Sequence, residues 1–368
     1  MLAICLFGMG GVVMDRNTVI LLGTTKGVFL LDGSADRSKW GVRGPFCDGW
    51  PINHVIAEGD TIWAAGGSDW HGAGVWRSDD RGASWALSQD GIAAGEGAEP
   101  LKTLWSLGKS GDRLYAGAKP ASLFCSDDRG DSWTKVQALT DHPSRAEWGP
   151  GAAGLVLHTI VADPHDPAKL WLGISAAGVF ATEDGGLTWE RRNRLSNTDD
   201  HGDCGHEVGL CVHNMVRAPG AGDLMYQQNH HGTFRSPDGG RTWASIGDGL
   251  PSTFGFPIAV HPRDPQTLWV LPLNGDSAGR FPPEAKAAVW RSRDGGESWQ
   301  ALTEGLPGQD CYFTVLRQAM AVDGGTPAGV YFGTNSGSVF ATADEGDVWV
   351  EIARHLPTVL SVEVLPAG

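Results

Sequence analysis

Ser236-Pro237-Asp238-Gly239-Gly240-Arg241-Thr242-Trp243 is the stretch that decides the fold. Its pattern, Ser/Thr-x-Asp-x-Gly-x-Ser/Thr-Trp, returns from Ser78 to Trp85, Ser126 to Trp133, Thr182 to Trp189 and Ser292 to Trp299. A worn copy runs from Thr342 to Trp349, with Val348 replacing the second hydroxyl residue. A more degraded one, Ser34 to Trp40, lacks the glycine and is one residue short. Trp40, Trp85, Trp133, Trp189, Trp243, Trp299 and Trp349 are separated by 45, 48, 56, 54, 56 and 50 residues. A period in this range marks a propeller or an array. Each octet residue has a local job. The Asp accepts N–H bonds within its own turn, and the Gly supplies a positive φ. The hydroxyls bond neighbouring backbone groups, and the Trp buries a large apolar body between sheets. Short strands such as Gly178-Val179-Phe180-Ala181 precede the octets, so each octet reads as a hairpin turn.

Seven such units account for nearly all of the 368 residues. The predicted fold is therefore all-β: a seven-bladed β-propeller of four-stranded antiparallel blades, spanning residues 15–368. The first blade lacks an inner strand at the N-terminal end, and the apolar stretch Thr358 to Val364 can supply it, closing the ring. Residues 1–14 read as a tail or an over-extended start. Their apolar run has no preceding Lys or Arg and no small-residue cleavage pattern, and it is too short to span a bilayer.

The octet resembles the Asp-box (BNR) repeat of sialidases, sortilin-type receptors and photosystem II assembly-factor-like propellers. The stretches Gln227–Gly240, Ser252–Pro265 and Leu356–Glu363 resemble bacterial proteins described as BNR-repeat or glycosyl-hydrolase-like. This resemblance implies the propeller; it does not imply one activity, because the wider superfamily mixes glycosidases with non-catalytic binders. Sialidases need an arginine triad, a Tyr nucleophile with a Glu partner and an acid/base Asp. Of four tyrosines, Tyr115, Tyr226 and Tyr331 read as strand residues, and only Tyr312 falls in a connection. The sialidase catalytic set is thus not found, while a glycoside hydrolase using two carboxylates stays open.

Net charge is −15, from 28 basic and 43 acidic residues. That lacks the basic footprint of a nucleic-acid binder, and no stretch is long and apolar enough for a membrane span. Six cysteines at irregular spacing do not read as a disulfide framework, and a cytoplasmic location is expected.

Blade strands alternate in direction, so all octets share one face. Of twelve histidines, only His165 and His261 fall on that face. The other ten fall on inner strands or in connections of the opposite face. Aligned on the apolar residue two positions later, His54, His158 and His213 coincide, and alternation would aim three imidazoles into the axial channel. Trp105, Phe256 and Gln318 are the equivalent residues elsewhere. The segment His201 to His213 and the turn Gln228 to Gly232 add nitrogen, sulfur and carboxylate groups at one mouth.

His54, His158, His213 and His230 are the candidate ligands of a divalent transition metal. His206, Glu207, Asp310 and Tyr312 are candidate catalytic groups. Trp105, Asn229, His231, Phe256 and Gln318 are candidate pocket residues. The competing reading is that channel histidines are hydrogen-bonded core residues copied with the repeat. The sequence therefore predicts a small-molecule or glycan-like ligand in a His-rich axial pocket, bound or transformed with or without a metal. A non-catalytic scaffold with a protein partner and a glycoside hydrolase are the alternatives.

Overall fold

The computed structural model describes residues 17–195 and 210–365. The predicted tail at residues 1–14, and His201, Cys204, His206 and Glu207, lie outside the described residues. Seven four-stranded antiparallel sheets form the blades. The chain enters each blade at the axis and works outward. Blade 4, for example, runs through Leu157–Ala162, Leu170–Ile174, Gly178–Thr182 and Glu190–Arg191. Blade 1 departs from this order as expected. Its inner strand is the C-terminal Val359–Leu365, paired antiparallel with Val19–Thr24.

The octets form the turns between the third and fourth strands. In blade 2, Asp80 Oδ1 accepts the Ser84 N–H at 2.8 Å and the Ser78 hydroxyl at 2.8 Å, and Oδ2 accepts the Ser84 hydroxyl at 2.6 Å. The Gly82 N–H donates to Ser78 Oγ at 2.8 Å. The degraded copy keeps the same logic: Asp36 still accepts from the Ser38 N–H at 3.1 Å and from the Ser34 hydroxyl at 2.5 Å. Arg37, which follows the Asp as Arg81 and Arg129 do in intact octets, takes a similar positive φ of 57°.

Blades are tied to one another through these turns. Second-strand tryptophans donate to the octet of the next blade: Trp63 to the Arg129 carbonyl at 2.8 Å, Trp171 to Gly239 at 2.8 Å and Trp269 to Glu345 at 3.0 Å. Apolar clusters fill the gaps between neighbouring sheets. Tyr115, Tyr226 and Tyr331 are buried in further clusters of the same kind, as the sequence pattern predicts. Cys47, Cys125, Cys211 and Cys311 are unpaired, and among the described residues no helix is long and apolar enough to cross a membrane.

One expectation about the inner strands needs correction. Most carry a register irregularity near the face opposite the octets. It falls between Ile52 and His54, Leu104 and Ser106, Leu157 and Thr159, and Val212 and Asn214. The unpaired residue is Asn53, Trp105, His158 and His213 respectively. His158 and His213 are thus equivalent, but His54 is one residue further on, matching Ser106, Thr159 and Asn214. The inner strands are apolar on both faces (Val55 and Ile56, Ile160 and Val161, Met215 and Val216), so alternation alone cannot set their register. A one-residue bulge then decides which side chain is re-aimed.

Candidate functional site: a cysteine and two histidines at the ring mouth

The axial space is divided in two. The Gln318 side chain in blade 7 donates across the axis to the His158 carbonyl in blade 4. Asn214 Nδ2 in blade 5 donates to the Arg317 carbonyl at 2.7 Å. On the octet side lies a channel of about 560 Å³, lined by His54, His158, Gln318 and Glu363 among apolar residues. On the opposite side lies a pocket of about 310 Å³ that shares no lining residue with the channel.

The mouth pocket collects side chains from four blades and their connections. Blade 5 supplies Cys211 and His213 at the start of its inner strand, and His230 and His231 in its next turn. Phe254 and Phe256 open blade 6, Asp276 and Arg280 sit in its long second-to-third-strand connection, and Arg317 precedes the inner strand of blade 7. Among the described residues, one ligand atom each from Cys211, His213 and His230 lie within 4.8 Å of one another.

The geometry fixes the role of each ring nitrogen of His213. Nδ1 lies 2.6 Å from the Gly255 carbonyl, which can only accept, so Nδ1 carries the proton. Nε2 is left with its lone pair and faces Cys211 Sγ at 3.7 Å. Burial is the main cause that holds the His213 pKa well below the usual imidazole value, with the Arg317 charge adding to it. Burial pushes the Cys211 thiol upward. His230 Nε2 stands 3.6 Å from Asp276 Oδ2, and Arg280 clamps the other oxygen of Asp276 at 2.5 Å. Arg317 lies over the Phe256 ring at 4.9 Å, and burial lowers its pKa to about 10.

One thiol and two imidazoles form an N₂S donor set, which suits zinc, copper, iron or nickel. A ligating histidine that donates its other N–H to a backbone carbonyl is the usual orienting arrangement for such sites. The two guanidiniums beside it favour an anionic group in the remaining space.

The sequence-predicted residues separate accordingly. His213, His230, His231 and Phe256 line the mouth pocket. His54, His158 and Gln318 line the channel on the other side of the crossing bonds. His54 Nδ1 accepts the Leu107 N–H at 2.9 Å, stitching blade 2 to blade 3, and burial lowers its pKa to about 4. His158 Nδ1 is 2.9 Å from Thr159 Oγ1, while its Nε2 is buried without a partner. Asn229 is buried, and its Oδ1 accepts the His231 N–H at 3.2 Å. Trp105 lies 5.8 Å from Lys119 Nζ. Asp310 and Tyr312 are exposed, with Tyr312 edge-on to Phe281. Neither lines the mouth pocket.

Asp276, Arg280 and Arg317 are the charged pocket residues that sequence reasoning missed. The first two lie within a connection whose length alone marks it out. Cys211 was visible as part of the ligand-rich segment but not singled out.

No family model matches the chain. It is similar to the oligoxyloglucan-reducing end-specific xyloglucanase of Emericella nidulans, 22% identical over 325 residues that make up 74% of this chain and 37% of that protein. It is also similar to a xyloglucanase of a Paenibacillus species, 25% identical over 311 residues, 73% of this chain and 28% of the other. The chain thus spans little more than a third of these relatives at most. Among solved structures, a GH74 xyloglucanase from Xanthomonas campestris superposes with a TM-score of 0.64 at 21% identity, over 92% of this chain and 53% of that one. YCF48 bound to D1 peptide superposes with a TM-score of 0.53 at 14% identity, over 82% of each chain. These likenesses define the class: a seven-bladed propeller with xyloglucanases among its relatives.

Proposed function

We propose that the protein binds a transition metal through Cys211, His213 and His230, and uses it at the ring mouth to bind or transform a small anionic ligand. The observation that carries this reading is the convergence of three ligand atoms within 4.8 Å, one on a ring already tethered to Gly255. Arg317 and Arg280 face the same pocket and would take the ligand's negative charge, with the Phe254 and Phe256 rings packing its apolar part. A bound metal would supply Lewis acidity, and the protein's part is to orient His213, hold Asp276 beside His230 and limit water. The octets belong, on this reading, to the Asp-box class and serve the ring's stability.

Elemental analysis of protein purified without chelators, followed by zinc and cobalt titration, tests it. One equivalent per chain is expected, absent from a Cys211→Ser/His213→Ala double variant that keeps its circular dichroism. Wild-type protein that takes up neither metal while folded would overturn it.

The relatives favour a second reading, a glycoside hydrolase acting on xyloglucan-type chains. Such hydrolysis ordinarily needs two carboxylates flanking the bond. Among the described residues lining the mouth pocket, Asp276 is the sole carboxylate. Release of oligosaccharide from xyloglucan that is lost in Asp276→Asn and Glu207→Gln, with or without metal, would select this reading over the first.

A further inference from the structure

Beside the mouth pocket lies a second one of about 450 Å³, formed where the connections of blades 2, 3 and 4 meet. The two flank the same turn: Pro150 and Gly154 line one, and Gly151 to Ala153 line the other. Four cations line this second pocket, Lys102, Lys119, Lys135 and Arg145, against one carboxylate, Glu99. In a chain of net charge −15, such a local excess is out of keeping with the whole.

The excess is not neutralised locally. Glu99 stands 3.8 Å from Lys102 and, among the described residues, is the only ion-pair partner of the four. Lys135 Nζ donates to the Ala94 carbonyl at 3.0 Å. Lys119 Nζ rests near the Trp105 ring, and its stem runs along Gly154. Arg145 stacks on Trp148 at 4.5 Å, and its Nη1 is buried with no hydrogen-bond partner. A buried guanidinium N–H left unpaired is costly, and gathering like charges in one concavity adds repulsion. Both costs are removed by one oxyanion, which offers several acceptors to converging donors. The Ser122 and Thr140 side chains line the same space and can complete its hydrogen bonding.

We infer that the pocket between Lys119, Lys135 and Arg145 binds the phosphate or sulfate group of a small molecule. The site is independent of the metal reading, since it shares no side chain with the Cys211 pocket. The cations focus an anion's approach in a low-dielectric concavity, an effect that screening by salt reduces.

Calorimetric titration of the full chain with inorganic phosphate, inorganic sulfate, glucose 6-phosphate and glucose tests it. Saturable binding of at least one oxyanion probe is expected at low ionic strength, weakened by added salt, with no binding of glucose. Glucose 6-phosphate binding more tightly than inorganic phosphate would assign an ester; the reverse would assign a free oxyanion. Lys119→Gln/Lys135→Gln should weaken binding by about tenfold or more, because each charge-assisted bond is worth roughly that factor. Arg145→Gln should do the same, and the lysine variant keeps the test valid if Arg145→Gln fails to fold. A thermal shift with the bound probe, lost in the lysine variant, is the second readout. No saturable binding of any oxyanion, or equal binding by a folded lysine double variant, would overturn the inference.

Discussion

His213 donates its Nδ1 proton to the Gly255 carbonyl at 2.6 Å, and that bond decides what the opposite nitrogen can do. With Nδ1 committed, Nε2 is a lone-pair donor aimed at the Cys211 sulfur. Cobalt bound here should therefore show a thiolate-to-metal charge-transfer band. The band should vanish in Cys211→Ser, and affinity should fall by more than about a hundredfold in His213→Ala, since loss of even a supporting group costs about ten- to a hundredfold. His54→Ala should leave both unchanged, because His54 lies across the Gln318 and Asn214 bonds and already accepts the Leu107 N–H. A band that persists without Cys211 would place the metal elsewhere.

The octets are held by their aspartates, and this gives the ring an acid limit. Hydrogen bonds from Ser84 lead the causes that lower the Asp80 carboxyl to about 2, and those from Ser132 do the same for Asp128. Asp184 and Asp294 are lowered to about 2 by their own octet hydroxyls and amides. A carboxyl lowered in the folded state adds stability above its unfolded value, and that stability is lost as pH falls through the folded one. Urea midpoints should therefore hold above about pH 4 and drop together between about pH 4 and pH 2. Asp184→Asn should lower the midpoint at neutral pH and flatten part of that drop. A pH profile unchanged in this variant would remove the octet carboxylates from the account.

The ring was legible because each octet is a self-contained turn whose Asp, Gly and Trp act within a few residues. Even the degraded copy at Ser34 to Trp40 keeps its hydrogen bonds, so a local pattern was enough. The pocket was legible only in outline. Counting strand direction assigned ten histidines to one face, but face is not proximity, and His54 and His158 line the channel on the octet side. His158 and His213 share a repeat position yet open into different spaces, because Gln318 and Asn214 close the axis between them. Those crossings join residues about a hundred or more apart in sequence, and no local pattern encodes them. Arg317 was missed for the same reason: its partner, the Phe256 ring, belongs to another blade.

Glu363 carries a second pH dependence of opposite sign. It lies on the closing strand and faces the axial channel among apolar side chains, with His54, His158 and the Arg217–Asp163 pair also lining or bordering that space. Burial raises its pKa to about 7, against which the Val364 N–H donates to Oε1 at 3.1 Å. A carboxyl raised on folding favours the native state below its unfolded value, and that advantage is lost as pH rises toward and through the folded one. Glu363→Gln should therefore match wild type near pH 4 and exceed it near pH 8. The gain should be on the order of 1–2 kcal/mol, less than full burial implies because the channel admits solvent. Equal urea midpoints at both pH values would show that Glu363 is ionised without cost.

Ring closure rests on the same strand, and one residue of it faces both neighbours of the seam. Val362 pairs with Leu22 in blade 1, while its N–H donates to the Gln318 carbonyl of blade 7 at 2.8 Å. Proline at 362 would delete that donor and disturb the pairing, and the carbonyl left unpaired alone costs about 1–3 kcal/mol. Because Gln318 also reaches His158, the loss should spread to the partition between channel and mouth pocket. Val362→Pro should thus lower the urea midpoint and loosen metal binding together. Val362→Ile, which keeps the amide and adds one methylene, should cost about 1–3 kcal/mol through overpacking but leave metal binding intact. If Val362→Pro lowered stability while metal affinity stayed at the wild-type value, the seam would be mechanically separate from the site. The crossing bonds would then be too local to carry its strain.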